Sequence, residues 1–204
     1  TGAACAALRR RLNVAEDAPV IINPRGARGY VRNDVFFAAM PLVLNRHPNA
    51  VFLCVAMQGN AMAERWAEQF GVAASVRPLP PVARGEMADL FRLSRVAVSP
   101  SLHDGTPNTL LEAMASGCLP VAGDIESVRE WVEDGVNGLL CDATSVESLA
   151  AAMIRGLDDE ALRQAARNRN ARLIAERAEY NMVMRRAEAF YHEAIERKRE
   201  AAKA

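Results

Sequence analysis

Ser99-Pro-Ser-Leu-His-Asp104-Gly-Thr-Pro-Asn-Thr-Leu-Leu-Glu112-Ala-Met-Ala-Ser-Gly117-Cys-Leu-Pro-Val-Ala122 decides the fold, because one short run holds a strand end, a loop, a helix and a second strand. Val96-Ala-Val98, just before it, reads as a buried strand, and Asp104-Gly105 interrupts the pattern. Thr106 suits an N-cap and Pro107 the first helical position, where no amide partner is needed. The helix is expected to run to about Ser116 and to stop at Gly117 in left-handed geometry. Leu119–Ala122 is the next buried strand. Leu110, Leu111 and Met114 share one face at helical spacing, while Asn108, Thr109, Glu112 and Ser116 share the other.

A helix start with free amides is an anion site, because the N–H groups and the helix dipole point the same way. An anion at Gly105–Thr109 would lie between two carboxylates, Asp104 and Glu112. Phosphate on amides and hydroxyls on acids describes a nucleotide sugar. The competing reading is an ordinary capped helix with a solvated face.

Working outward, strands and helices alternate. Upstream, Pro19–Ile22 is a strand and Asn23–Gly29 a loop, and a helix starts at Asn33 or Asp34 and passes Phe36, Ala39, Leu42 and Val43. Pro41 should kink or break that helix. Ala50–Val55, Ala74–Arg77 and Leu139–Leu140 are further strands. Asn60–Phe70, Arg84–Leu93, Ile125–Val132 and Ser145–Leu157 are further helices. The alternation implies an α/β domain with a parallel sheet and helices on both faces, and such sheets bind ligands at the carboxyl ends of their strands. The loops holding Arg25 and Asp104 are both at such ends.

Ala3–Leu12 reads as a helix without a partner nearby in sequence. Thr1-Gly-Ala, with no initiating Met, suggests a piece of a longer chain, so residues 1–18 are taken as a remnant or linker of a missing N-terminal part. Residues 19–157 form the sheet domain and 158–204 a helical C-terminal extension. In that extension Leu162, Ala165 and Ala166, and then Tyr180, Met184, Ala187 and Tyr191, repeat at helical spacing. Acids and bases alternate there, so helices packed along the domain are expected rather than a membrane-surface helix.

The 204 residues are half hydrophobic, and 25 Lys and Arg balance 25 Asp and Glu, which argues against nucleic acid or an anionic membrane as partner. No run is long enough to span a bilayer, and the start is not a secretory signal. Cys5, Cys54, Cys118 and Cys141 have no paired spacing and read as reduced thiols of a cytoplasmic protein. His47, His103 and His192 are too scattered for a metal site.

Asp104-Gly-Thr-Pro-Asn-Thr-Leu-Leu-Glu112-Ala-Met-Ala-Ser-Gly-Cys-Leu-Pro-Val resembles the retaining "group 1" glycosyltransferase family, whose pattern is an acid, seven residues, then Glu, followed by Ala-Met-Ala-x-Gly-x-Pro-Val. Glu130-Trp-Val-Glu-Asp-Gly-Val-Asn-Gly-Leu-Leu140 resembles the segment that follows it there. The likeness covers Pro19 to Leu157 and looks like the C-terminal, donor-binding half of the GT-B architecture, two Rossmann-like domains facing a cleft.

The resemblance implies that Glu112 bonds the ribose hydroxyls and Asp104 the donor sugar. It implies that amides from Gly105, Thr106, Asn108, Thr109 and Leu110, around Pro107, hold the sugar and distal phosphate. Arg25 would neutralise the diphosphate leaving group, and the backbone around Arg77 and Leu79 would hold the base. No metal is implied. The partners implied are a nucleotide-diphosphate sugar and a missing N-terminal acceptor-binding domain. The implied location is the cytoplasm, with any membrane contact made through the acceptor.

Two departures stand out. Asp104 replaces the usual Glu, one methylene shorter, and the family's Lys after the Arg is absent. Arg28 and Arg32 are the available substitutes, and Arg32 is the choice made here. A sugar-nucleotide epimerase of the same architecture and a non-catalytic nucleotide-binding or scaffolding domain remain alternatives.

Overall fold

The computed structural model describes residues 2–201. Its elements, in chain order, are α1 (Gly2–Arg11), β1 (Val20–Asn23), α2 (Asn33–Arg46), β2 (Val51–Cys54), α3 (Ala61–Gln69), a 3₁₀ turn (Ala73–Ser75) and β3 (Val76–Pro78). Then come α4 (Arg84–Leu93), β4 (Val96–Ser99), α5 (Asn108–Ala115), β5 (Leu119–Gly123), α6 (Glu126–Arg129), β6 (Leu139–Cys141), α7 (Val146–Asp158), α8 (Glu160–Arg177) and α9 (Tyr180–Ala201). Six parallel strands lie in the order β3-β2-β1-β4-β5-β6. This is the Rossmann-like sheet that the alternation predicts.

Successive strand residues face opposite layers. Ile21, Phe52, Val96, Val98 and Val121 pack with Phe36, Phe37 and Met40 of α2 and Leu149 and Met153 of α7. Val20, Ile22, Leu53 and Ala97 face the other way, against Leu8 and Leu12 of α1 and Leu90 and Phe91 of α4. Burial on both faces is why the strands read as unbroken apolar runs rather than alternating ones. The segment before Pro19 therefore has its partners in this domain: Leu8, Leu12, Val14 and Ala18 are core residues.

Four local expectations change. α2 runs through Pro41 without a break. An interior proline costs about 3 kcal/mol, and burying Phe36, Phe37 and Met40, about 2 kcal/mol each, outweighs it. The third strand starts at Val76 because Ala73–Ser75 coils into a 3₁₀ turn. The sixth helix is confined to Glu126–Arg129. Asn137 takes over the main chain beyond it, accepting from the Glu133 amide at 2.7 Å and donating to the Trp131 carbonyl at 2.9 Å. At α5 the cap is Pro107 and Asn108 is the first helical residue, so Thr106 is not the cap and no side chain caps the helix. The other end of α5 is as expected. Gly117 is left-handed at φ +80°, and the amides of Gly117 and Cys118 return to the carbonyls of Met114 and Ala113, a Schellman motif.

α8 packs on the domain through Leu162, Ala166 and Asn170, all buried, and Asn170 exchanges hydrogen bonds with Asn137. α9 differs from expectation. Tyr180, Met184, Phe190 and Tyr191 are exposed, and only its first turn reaches the body of the domain, beside Trp131. Among the described residues no helix is long and apolar enough to cross a membrane.

Burial pushes the Cys54 and Cys141 thiols up to about 12 and raises Cys118 as well. An exposed thiol ionises at about 8.5, so above that pH the unfolded chain releases protons that the folded chain retains. Stability therefore falls as pH rises, by up to about 1.4 kcal/mol per pH unit for each buried thiol. Urea denaturation from pH 8 to 11 should show this decline, and a Cys54→Ala variant should show a shallower slope.

Candidate functional site

Strand order reverses between β1 and β4, and the loops leaving these two neighbours meet above their carboxyl ends. Such a reversal opens a crevice for a ligand. Two buried asparagines shape the first loop. Asn23 donates to Asn33 Oδ1 at 2.9 Å and accepts from the Arg25 amide at 3.0 Å, and Asn33 donates to the Gly26 carbonyl at 2.9 Å. Asn33, read from sequence as a helix start, is thus a brace for the loop.

The second loop is zipped to the first. Val31 and Ser101 form an antiparallel bridge, with the Arg32 amide on the Pro100 carbonyl at 2.9 Å and the Leu102 amide on the Tyr30 carbonyl at 3.1 Å. Gly123 of β5 admits this crossing: a Cβ there would stand 2.3 Å from the Ser101 carbonyl oxygen.

These braces bring Arg25 to the start of α5. Its Nη1 donates to Thr109 Oγ1 at 3.0 Å, and its Nη2 lies 2.7 Å from Asp104 Oδ2 and 3.3 Å from the Tyr30 hydroxyl. The two charged side chains are only 9% and 13% exposed. Their contact lacks the alignment of a hydrogen bond, which leaves Asp104 Oδ2 buried without a hydrogen-bond partner among the described residues, and Arg25 Nε is likewise buried without one. The Tyr30 hydroxyl also accepts from Arg28 Nη1 at 3.1 Å.

Beside this pair, the amides of Gly105, Thr106 and Thr109 have no partner among the described residues, whereas those of Asn108 and Leu110 are engaged with Thr106 and Pro107 carbonyls. Nothing stands within 4 Å of where a Gly105 Cβ would be, so that backbone is open. Free amides, the positive end of α5 and a buried guanidinium together suit a multiply charged anion.

Glu112 is apart from Asp104. It opens into a cleft of about 810 Å³ whose walls include Val82, Arg84, Met87, Thr106 and Asn108. Its Oε1 is 3.5 Å from Arg84 Nε, a residue that is largely exposed. The helix therefore presents one acid to each side of its first turns.

The other residues singled out from the sequence have surroundings of their own. Arg32 is forked onto Asp34 at 2.9 and 2.7 Å, and each holds the other's charge: the Arg32 pKa is raised and that of Asp34 lowered by this pair. Arg77 donates to the carbonyls of Leu12, Asn13, Ala74 and Val76, tying the segment after α1 to the sheet edge. Leu79 is buried, with its amide on Cys54 and its carbonyl accepting from Met57 and Gln58. His103 is exposed. Tyr30, Asn23 and Arg84 are not legible as site residues: the first two act through the folding of a loop whose path periodicity does not show, and Arg84 through a contact distant in sequence. Among the described residues no three His, Cys, Asp or Glu side chains are grouped as metal ligands.

The family model for glycosyl transferases group 1 matches residues 6–173. The D-inositol 3-phosphate glycosyltransferase of Thermobispora bispora is 30% identical over 202 residues, 94% of this chain and 47% of that protein. The chain thus spans about half the length of that curated relative. Two solved structures share the fold. The C-terminal domain of a glycosyl transferase group 1 family protein from Francisella tularensis has a TM-score of 0.71 at 19% identity, over 83% of this chain and 90% of that one. HepE of Anabaena, solved with UDP and glucose, has a TM-score of 0.83 at 18% identity, over 94% of this chain and 53% of that one.

Removing one member of a buried ion pair strands the other. Arg25→Ala and Asp104→Ala should each destabilise the fold by about 2 kcal/mol, and the double variant should cost little more than the worse single one. Urea denaturation of the four proteins measures this. Gly123→Ala forces the Ser101 backbone to move and should lower stability by about 2 kcal/mol or more.

Proposed function

Because the chain belongs to the glycosyl transferase group 1 family, we propose that it is the donor-binding half of a retaining enzyme that moves a sugar from a nucleoside diphosphate to an acceptor. One observation carries the reading. Arg25 and Asp104 are buried with unfilled hydrogen-bonding positions beside three free amides, at the point where strand order reverses. That HepE was solved with UDP and glucose supports the ligand class.

The diphosphate lies against the Gly105, Thr106 and Thr109 amides and draws Arg25 away from Asp104. Asp104, freed from the guanidinium, turns to hydroxyls of the donor sugar. Glu112 accepts from the ribose hydroxyls in the adjacent cleft, since an ionised carboxylate takes two such donors. The Arg77 side chain and both main-chain groups of Leu79 are already engaged, so the base is read by main chain between them and by the wall at Val82 and Met87. As the glycosidic bond breaks, negative charge grows on the diphosphate, and a fixed cation and fixed amides stabilise it without reorganising. Arg and helix amides take the place of a metal.

The second cation in this reading is Arg28 rather than Arg32. Arg28 shares the Tyr30 hydroxyl with Arg25, whereas the Arg32 guanidinium is committed to Asp34. The acceptor side belongs to a separate N-terminal half, in keeping with relatives about twice as long. Four free thiols support a cytoplasmic setting.

Calorimetric titration with UDP, GDP and ADP, in chelator, should give selective binding of one nucleotide. Glu112→Ala should weaken it by about tenfold or more, because two bonds to a charged acceptor are lost. Arg25→Ala should abolish it with the fold retained by circular dichroism, Arg28→Ala should cost about tenfold, and Arg32→Ala should bind normally. No sugar transfer is expected from this chain alone. Failure of all three nucleotides to bind both this chain and the protein extended by its N-terminal half would overturn the reading.

A further inference from the structure

The opposite end of the sheet holds a second concentration of cations. Arg9, Arg92, Arg95, Arg163 and Arg167 line a recess of about 210 Å³ between the end of α4, the turn after α5 and the start of α8. Glu160 is the one acid on its wall among the described residues. Arg95 precedes β4 and Asp104 follows it, so about 13 Å of extended strand separates this recess from the donor site. Five arginines converge here in a chain whose charges cancel.

The protein itself uses only part of this charge. Arg9 donates to the carbonyls of Ala15 and Ala18, and Arg92 pairs with Asp89 at 2.8 Å. Arg163 pairs with Glu160 and donates to the Gly156 carbonyl at 2.6 Å. The side chains of Arg95 and Arg167, both exposed, have no ion-pair or hydrogen-bond partner among the described residues; the Arg163 hydrogen bond lowers the Glu160 pKa, and these two add to it only as distant charges. Arg167 is nevertheless held in place. Its side chain lies across left-handed Gly117, where a Cβ would come within 2.9 Å of Nε. A second hollow of about 280 Å³ adjoins the first and shares Arg92, Gly117 and Arg167.

A purely structural role does not absorb the excess. The carboxyl ends of α4, α5 and α7 each contribute roughly half a negative charge, and Glu160 and Asp89 one each. Even together these do not match five guanidiniums, and two of the five touch none of them.

We propose that this recess binds a phosphate-bearing ligand, with Arg95 and Arg167 as its principal contacts. Arginine forks meet planar pairs of oxygens, and a phosphate offers such pairs in several directions where a carboxylate offers one. With about 30 Å³ per water molecule, the recess has room for a phosphoryl group. The phosphate belongs either to a soluble molecule or to a lipid headgroup.

The test is a ¹⁵N-resolved titration with inorganic pyrophosphate, with Arg95→Ala/Arg167→Ala and Arg25→Ala as controls. Shifts at the Arg95 and Gly117 amides should saturate independently of those at Gly105 and Thr109. They should persist in the Arg25 variant and weaken by about tenfold per guanidinium removed in the double variant. Thermal melting separates ligand binding from helix capping. The double variant should melt at or above the parent temperature, since like charges are removed, and pyrophosphate should stabilise the parent more than the variant. Co-sedimentation with phosphatidylglycerol but not phosphatidylcholine vesicles, lost in the double variant, would assign the phosphate to a lipid. Pyrophosphate binding without co-sedimentation would assign it to a soluble ligand. Pyrophosphate shifts confined to Gly105–Thr109 with no vesicle binding, or a double variant that melts several degrees lower, would overturn the proposal.

Discussion

A guanidinium held nine-tenths out of water, against a carboxylate that it meets without a proper hydrogen bond, is the interaction on which the site depends. Such a pair is poor value as a stabilising device, because desolvating two charges costs about as much as their attraction returns. It exists because the loops after β1 and β4 are forced together, by two buried asparagines below and an antiparallel bridge between Val31 and Ser101. The packing of Gly123 under Ser101 sets how close they come. The carboxylate of Asp104 occupies Arg25, and the proposed exchange of that carboxylate for a diphosphate rests on this contact.

The same geometry explains why two acids stand apart on either side of one helix start, Asp104 in the loop before α5 and Glu112 within it. α5 is only eight residues long, and both its ends are fixed, by Pro107 at one and the Schellman turn at Gly117 at the other. Leu110, Leu111, Ala113 and Met114 fill the core and set its rotation. Asp104 then falls towards β1 and Glu112 towards α4. A rigid helix start between two carboxylates favours a ligand that is anionic in the middle and hydroxylated on both sides, which a nucleotide sugar is.

Much of this was legible in the residues. Buried parallel strands are short apolar runs, and Val96–Val98 and Leu119–Ala122 stand where their patterns place them, as does the helix Arg84–Leu93. The acid pair and the free helix start were legible too, because capping chemistry and helical spacing are local. What sequence did not give is long-range. The resemblance singles out the backbone around Arg77, and nothing local tells that its side chain clamps the segment after α1, a pairing across more than sixty residues. Arg32 and Arg28 are indistinguishable by type and spacing; only the positions of Asp34 and Tyr30 separate them. Pro41 breaks helices by local rule, and the core on either side of it overrules the rule. α9 repeats apolar residues at helical spacing, yet Tyr180, Met184, Phe190 and Tyr191 stay exposed, and periodicity alone does not say whether a stripe is covered.

A net charge of zero conceals how the charges are arranged. In a parallel sheet flanked by antiparallel-running helices, helix amino ends gather above the carboxyl edge of the sheet and helix carboxyl ends gather below it. The upper edge is therefore already favourable to anions through its amides, and acids such as Asp104 and Glu112 can be placed there without making it repulsive. A single buried Arg suffices. The lower edge carries the opposite partial charge, and arginines are its natural neutralisers, as the Arg163 contacts with the Gly156 and Leu157 carbonyls show. Neutralising helix ends calls for guanidiniums that touch carbonyls. Arg95 and Arg167 touch none; they stand exposed in the wall of the recess, outside the neutralising role that Arg163 fills.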